Sequence, residues 1–217
     1  FYGYRFDGIF QNEEECKKQT SSASPIGVGL RRYKDLNGDG KVDATNDREI
    51  LGDANPKFFG GMTNTFYYKG FELNVFLQYS VGNKIYNYNA MELQTPTGGT
   101  NAYADLVDRW TPEHPSTVYP KASTNRNILV SDRFVEDGSY LKLKTLSLSY
   151  DFSKLKLKHI QGLRVYVTGQ NLLTWTKYRG YDPEVSYKGA STLEAGEDYG
   201  GYPQARTFMV GLKLDIK

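Results

Sequence analysis

Nine residues near the start of the chain carry its densest oxygen chemistry. Asp35-Leu36-Asn37-Gly38-Asp39-Gly40-Lys41-Val42-Asp43 sets oxygen-bearing side chains at alternate positions. That spacing lets a short loop wrap a hard cation, and Gly40 permits the sharp turn it needs. A Ca2+ ion would take the side chains of Asp35, Asn37, Asp39 and Asp43 and the backbone carbonyl of Lys41. Val42 would anchor the loop through a small apolar contact. The pattern leaves that of an EF-hand at its end, where a bidentate Glu belongs. Asn46 stands there, Asp47 follows as a sixth candidate ligand, and Glu49 lies beyond. No amphipathic helix flanks the loop. The competing reading is a metal-free turn held by Asx hydrogen bonds. Either way the segment orders a loop and is not a sensor.

A second group is aromatic. Tyr178, Tyr181, Tyr187, Tyr199 and Tyr202 surround Asp182 and Glu184 in one Gly-rich stretch. Aromatic faces beside carboxylates suit sugar rings, which present C–H faces and hydroxyls. Tyr181, Asp182, Glu184, Tyr199 and Tyr202 are therefore the candidate substrate contacts. The alternative is that these tyrosines pack loops against one another.

Catalytic constellations are missing from the sequence. His114 lies between Glu113 and Pro115, and His159 follows a Lys-rich connection; neither has a partner at metal-ligand spacing. Cys16 is the single cysteine, so no internal disulfide can form. It follows the acidic run Glu13–Glu15, which raises a thiol pKa and makes it unreactive. Gly27-Val28-Gly29 is too short for a phosphate loop. The chain is expected not to be an enzyme.

Composition narrows the class. The chain has 217 residues, 39% of them apolar and 14% aromatic, with 18 Tyr and 22 Gly. No apolar run approaches the ~18 residues a transmembrane helix needs. Transmembrane strands leave no such run, because half their residues face a polar lumen. A net charge of +2 without a basic stripe argues against nucleic acid. The chain opens mid-pattern at Phe1-Tyr2-Gly3-Tyr4 without Met, as a fragment would.

The elements that must position these groups are strands. Phe58–Tyr68 alternates, Lys69-Gly70 makes a tight turn, and Phe71, Leu73, Val75, Leu77 and Tyr79 follow on one face. Glu72, Asn74 and Gln78 share the other face with Phe76. Tyr140–Phe152 is the next strand. Its apolar parity switches near Lys144-Thr145, which predicts a β-bulge. Leu163–Trp175 and Arg206–Lys217 complete the set, the last ending in Phe208, Val210, Leu212, Leu214 and Ile216 on one face. A short helix is expected around Asn101–Trp110. Long and short links alternate: Gly82–Ser131 and Lys177–Ala205 are long, Lys69-Gly70 and Ser153–Gly162 short. Outer-membrane barrels have long extracellular loops and short periplasmic turns. Aromatics gather at the short-turn end, where an interfacial girdle belongs. A soluble sandwich has no reason to alternate its links.

Several stretches of the chain resemble a known family. Phe134-Val135-Glu136-Asp137-Gly138-Ser139-Tyr140-Leu141-Lys142-Leu143-Lys144 is similar to a signature of the SusC/RagA-like TonB-linked outer-membrane transporters. So are Gly169-Gln170-Asn171-Leu172-Leu173-Thr174-Trp175 and Gly180-Tyr181-Asp182-Pro183-Glu184. Phe6-Asp7-Gly8-Ile9-Phe10-Gln11, the Asp35–Asp43 loop and Asn55-Pro56-Lys57-Phe58 match in the same order. Two departures stand out: the chain ends in Lys217 where an aromatic is common, and the cation loop is one residue longer before Asp47.

The resemblance implies an all-β fold in which residues 1–217 are the C-terminal part of a large antiparallel transmembrane barrel. In the family that barrel has about 22 strands around a plug. It implies about six strands here, the signal peptide, TonB box and plug lying outside this chain. Such transporters sit in the outer membrane of Bacteroidota, among its lipids, and pair with a SusD-like lipoprotein. TonB drives their import of oligosaccharides or peptides. On that reading Glu72, Asn74 and Gln78 face the lumen. The rival is a secreted, Ca2+-stabilised β-sandwich that binds glycans.

Overall fold

A computed structural model describes residues 1–95, 101–124, 128–152, 160–185, 187 and 194–216. His159 and most of the expected Ser153–Gly162 link lie outside the described residues. In chain order the strands begin with β1 (Tyr2–Tyr4), β2 (Phe6–Ile9), β3 (Thr20–Ser21), β4 (Arg31–Tyr33), β5 (Lys41–Val42) and β6 (Arg48–Ile50). They continue with β7 (Phe58–Tyr68), β8 (Phe71–Val81), β9 (Lys84–Asn87) and β10 (Val135–Asp137). The last are β11 (Tyr140–Asp151), β12 (Ile160–Thr176), β13 (Glu197–Asp198) and β14 (Thr207–Ile216). Two short helices, α1 (Glu13–Lys17) and α2 (Tyr88–Leu93), interrupt them.

The chain divides into two compact units. One, the sheet unit, holds Pro56–Gly82, Gly138–Pro183 and Tyr202–Lys217. Its five strands form one antiparallel sheet in the order β14-β12-β11-β8-β7. The strand lengths predict about six wall strands; five pair in this sheet. The β7–β8 hairpin turns on Lys69 (φ 48°) and Gly70 (φ 92°). Two successive left-handed residues twist the chain in the sense that a two-residue hairpin requires.

The parity switch in β11 is a bulge. Leu143 pairs with Leu77 and Thr145 with the adjacent Phe76, so Lys144 is the extra residue. On the other side Leu143 pairs with Leu173 and Thr145 with Gln170, and Asn171 turns to φ 52°. Without this step the leucines on the two sides of Lys144 would face opposite ways. With it, Leu141, Leu143, Leu146, Leu148 and Tyr150 share a face with Phe71, Leu73, Val75, Leu77 and Tyr79. Val165 and Val167 extend that face to Leu212 and Val210, and Phe66 and Met62 extend it the other way. Asn64, opposite Val75, is its polar interruption.

The other unit, the loop unit, holds Phe1–Asn55, Asn83–Asp137 and Glu184–Gly201. Its strands are two to four residues long and pair in small sheets: β1-β6, β2-β4, β3-β5 and β10-β9-β13. The β3-β5 and β13-β9 pairs are parallel, so each joins segments distant in sequence. Two aromatic clusters hold it together: Tyr4, Tyr33 and Val42; and Tyr86, Ala90 and Phe134. Asn12 caps α1 by accepting from the Glu15 N–H, and Asn87 caps α2 by accepting from that of Ala90. The helix expected over Asn101–Trp110 is a 3-10 turn at Ala104–Asp108.

Candidate functional site

The polar face of the sheet is a chain of partnered side chains. Asn74 donates to the Thr65 hydroxyl at 2.9 Å, and Gln78 to the Tyr140 hydroxyl at 3.2 Å. Ser147 and Thr168 share a hydrogen bond of 2.7 Å. Glu72 accepts from Arg164 at 3.0 Å, and Asp151 lies 3.9 Å from the same guanidinium. Glu72, Asn74 and Gln78, the three residues expected on this face, are all here. Phe76 lies among them, paired with Thr63 and Thr145.

One ion pair on this face is buried. Lys142 Nζ lies 2.5 Å from Asp182, with side chains 2% and 9% exposed. The second oxygen of Asp182 accepts from the Gln204 N–H at 3.2 Å. Asp182 therefore fastens β11 to the approach of β14, and its carboxylate is occupied by Lys142 rather than presented outward. Its neighbour Tyr181 is largely exposed, as is Tyr202. Glu184 and Tyr199 belong to the loop unit, Glu184 half-buried and Tyr199 exposed on one side. Sequence proximity had grouped these five; the structure assigns them to different units and environments.

The opposite face of the sheet is apolar and open. Phe66, Tyr68, Phe208, Val210, Leu212 and Ile216 are all more than half exposed. A sandwich would bury such a face against a second sheet. At the end nearest the hairpin turn, Phe71 packs tilted against Tyr150 with centroids 4.6 Å apart, and Tyr150 meets Phe152 edge-to-face at 4.5 Å. Phe66, Tyr67 and Tyr68 line the same end, as the aromatic pattern predicts.

In the loop unit the Asp-rich segment closes on its own backbone. Asp35 accepts from the N–H groups of Gly38 and Gly40, both at 2.7 Å. Asp47, fully buried, accepts from Leu36 at 2.8 Å and Asp43 at 2.7 Å. Asp39 accepts from the Lys41 N–H and from the Asn37 amide. Asp43 accepts from Asn46 and Thr45, whose N–H groups, Asn46 foremost, hold its carboxyl below the usual carboxylate range. Among the described residues no three Asp, Glu, His or Cys side chains converge on a point that could hold a metal. The donor set is of the right chemistry for a hard cation. Taking one up would require Asp35, Asp39 and Asp43 to turn toward a shared point. The Cys16 thiol is pushed up by burial and then by Glu13 and Glu15, in keeping with an inert cysteine.

The loop unit also buries charge and phenols. Arg31 reaches the Thr95 hydroxyl at 2.8 Å, and burial lowers its pKa. Burial raises the phenol pKa values of Tyr33 and Tyr86. None of these was legible in the sequence, because the strands that bury them are too short to show a period.

A sheet with one partnered polar face and one open apolar face is a segment of transmembrane barrel wall. Related proteins agree. No protein-family model matches the chain. "TonB-dependent receptor P3" of Formosa agariphila is 40% identical over 99% of this chain and 22% of that protein. "TonB-dependent receptor SusC" of Bacteroides thetaiotaomicron is 29% identical over 85% of this chain and 17% of that protein. The RagAB peptide importer in its open-open state superposes with a TM-score of 0.75 at 25% identity, over 99% of this chain and 22% of that one. The chain thus spans about a fifth of the length of the relatives it matches. It belongs to the SusC/RagA-like TonB-dependent receptors, β-barrel proteins of the outer membrane.

Proposed function

We propose that this chain supplies five wall strands and an extracellular loop body to a receptor that imports oligosaccharides or peptides, driven by TonB and lidded by a SusD-like lipoprotein. The observation that carries the reading is the inverted burial of the sheet. Among the described residues its strands bury no apolar side chain, and the side chains they bury are Ser80, Lys142, Ser149 and Thr168. Hydrocarbon cannot solvate an amide or a carboxylate, so the apolar face meets acyl chains and the polar face lines the lumen. Glu72, Asn74 and Gln78 then border the path of the substrate. No chemistry is performed on it.

Link lengths orient the wall. Lys69-Gly70 faces the periplasm; Asp35–Asp43 and the described parts of the segments over 82–131 and 177–205 face outside. Tyr181, Tyr199 and Tyr202 are exposed aromatic surface on that outer side, available to substrate or to the lipoprotein. A calcium ion at Asp35, Asn37, Asp39, the Lys41 carbonyl, Asp43 and Asp47 would stiffen the loop body. Terbium luminescence of the full-length receptor should report one site lost in Asp39→Ala; no binding at millimolar Ca2+ would remove it.

The import reading is tested in cells. Deleting the full-length gene, or disabling TonB, should abolish uptake of one class of glycan or peptide. The receptor should also co-purify from detergent with a surface lipoprotein. Unchanged uptake of every such nutrient would contradict the reading.

A further inference from the structure

Two adjoining pockets open in the loop unit. One, of about 420 Å3, is lined by Asp53, Asn55, Tyr86, Tyr88 and Glu197 among others. The second, of about 330 Å3, is lined by Tyr88, Met91, Glu92, Tyr187, Glu197 and Tyr199. Tyr88 and Glu197 belong to both. In the second pocket the Tyr199 ring stands T-shaped to Tyr88, with centroids 5.9 Å apart at 79°. It stands T-shaped to Tyr187 as well, at 5.3 Å and 87°. Rings set at right angles present more than one π-face to a guest between them.

The charge of the lining has one sign. Asp53, Glu92 and Glu197 supply carboxylates, and among the described residues neither pocket is lined by Lys or Arg. The Glu197 carboxylate takes no hydrogen bond or ion pair from any described residue; its backbone oxygen accepts from the Tyr187 N–H at 3.0 Å. An anionic ligand would meet like charge here. A neutral sugar would leave Glu197 without a counter-charge. An ammonium or guanidinium group satisfies both features at once, lying over ring faces and pairing with the carboxylate.

We infer that the pocket of Tyr88, Met91, Glu92, Tyr187, Glu197 and Tyr199 is a subsite for the side chain of Lys or Arg in a peptide. The inference rests on the import reading and narrows its substrate. A long aliphatic stem would lie along Met91 and the rings, with its charged head at Glu197. An amino sugar offers no such stem, and its cation sits among hydroxyls on a rigid ring. Sequence proximity linked Tyr199 to Asp182 and Glu184. The fold sets it instead beside Glu92 and Glu197, through the parallel β13-β9 pair.

The test uses the full-length receptor with its lipoprotein. Three probes are compared: Ala-Ala-Lys-Ala-Ala, the same peptide with Nε-acetyl-lysine, and a glucosamine trimer. The lysine peptide should bind about tenfold or more tighter than its acetylated form, as loss of a cation–π contact and an ion pair implies. Glu197→Gln should erase that preference with little change in binding of the acetylated peptide. Tyr199→Leu should reduce it several-fold. Equal binding of the two peptides, no binding of either at millimolar concentration, an unchanged preference in E197Q, or tighter binding of the glucosamine trimer would each overturn the inference. If the preference is absent while TonB-dependent uptake persists, the subsite falls and the import reading stands. If the preference is present while no nutrient is imported, the import reading falls and the subsite stands.

Discussion

The two units of this chain follow opposite burial rules. In the loop unit the buried side chains include Ile9, Phe10, Tyr33, Val42, Tyr86 and Phe134, as in any protein folded in water. In the sheet unit they are Ser80, Lys142, Ser149, Thr168 and Asp182, and among the described residues the buried apolar ones are Tyr178 and Pro183, both outside the strands. One polypeptide is thus patterned for two solvents. The loop unit gains stability by removing rings and aliphatic groups from water. The sheet unit leaves them facing outward because acyl chains are their solvent, and hides its polar groups in hydrogen bonds. Exposure therefore has no meaning until the solvent is named.

The sharpest way to break this contrast is at the buried ion pair. Asp182→Ala removes the carboxylate that Lys142 contacts, and breaking a buried pair costs about 3–5 kcal/mol. The double change Lys142→Met with Asp182→Leu should recover most of that loss. Urea unfolding of the full-length receptor in lipid vesicles measures both. Next in size is the apolar face. Val75→Arg, at mid-strand opposite Leu146 and Asn64, should destabilise by about 2–4 kcal/mol at the bilayer midplane. The neighbouring Asn74→Arg, on the polar face, should cost less than about 1 kcal/mol. A water-filled surface on both sides would make the two substitutions equal.

Much of the sheet unit was legible because its strands are long and alternate. The hairpin Phe58–Val81, the step at Lys144 and the last strand all follow from period two. Even the bulge was marked, by leucines that change parity. The fourth strand starts at Ile160, earlier than the Leu163 at which apolar spacing begins, since Gln161 and Gly162 carry no apolar signal. In the sequence the loop unit shows only as long links. Its strands of two to four residues show no period, and their partners lie far away in sequence, as with Thr20 and Lys41. Helix α2 is six residues with Asn87 as its cap, too short for a helical stripe. The oxygen-rich loop was visible from spacing alone. The hold of Asp47 on Leu36 and Asp43, by contrast, depends on burial that only the fold supplies.

Smaller effects sharpen the contrast from the loop side. Asp47→Ala leaves two backbone N–H groups without their acceptor and should cost about 1–3 kcal/mol. The loss should be local: amide exchange should quicken over Asp35–Asp43 while strands β7 and β8 keep their protection. Smallest is the response to acid. The Asp43 carboxyl is held below its unfolded value of about 3.9 by the N–H groups of Asn46 and Thr45. A depressed folded pKa stabilises above the unfolded value and ceases to do so as pH falls through the folded one. The loop should therefore stay protected from neutral pH to about pH 4 and loosen below it, with no change in the sheet at the same pH.

If the two faces of one strand meet two solvents, a pair of spin labels will tell them apart. With Cys16 replaced by Ser, single cysteines at Val75 and at Asn74 of the full-length receptor are labelled and the protein is placed in lipid vesicles. The label at Val75 should relax with oxygen dissolved in the acyl chains and ignore a water-soluble nickel chelate, and the label at Asn74 should do the reverse. A label at Val75 that answers to neither quencher, or to nickel before oxygen, would put the residue in a protein core or in water and contradict the account.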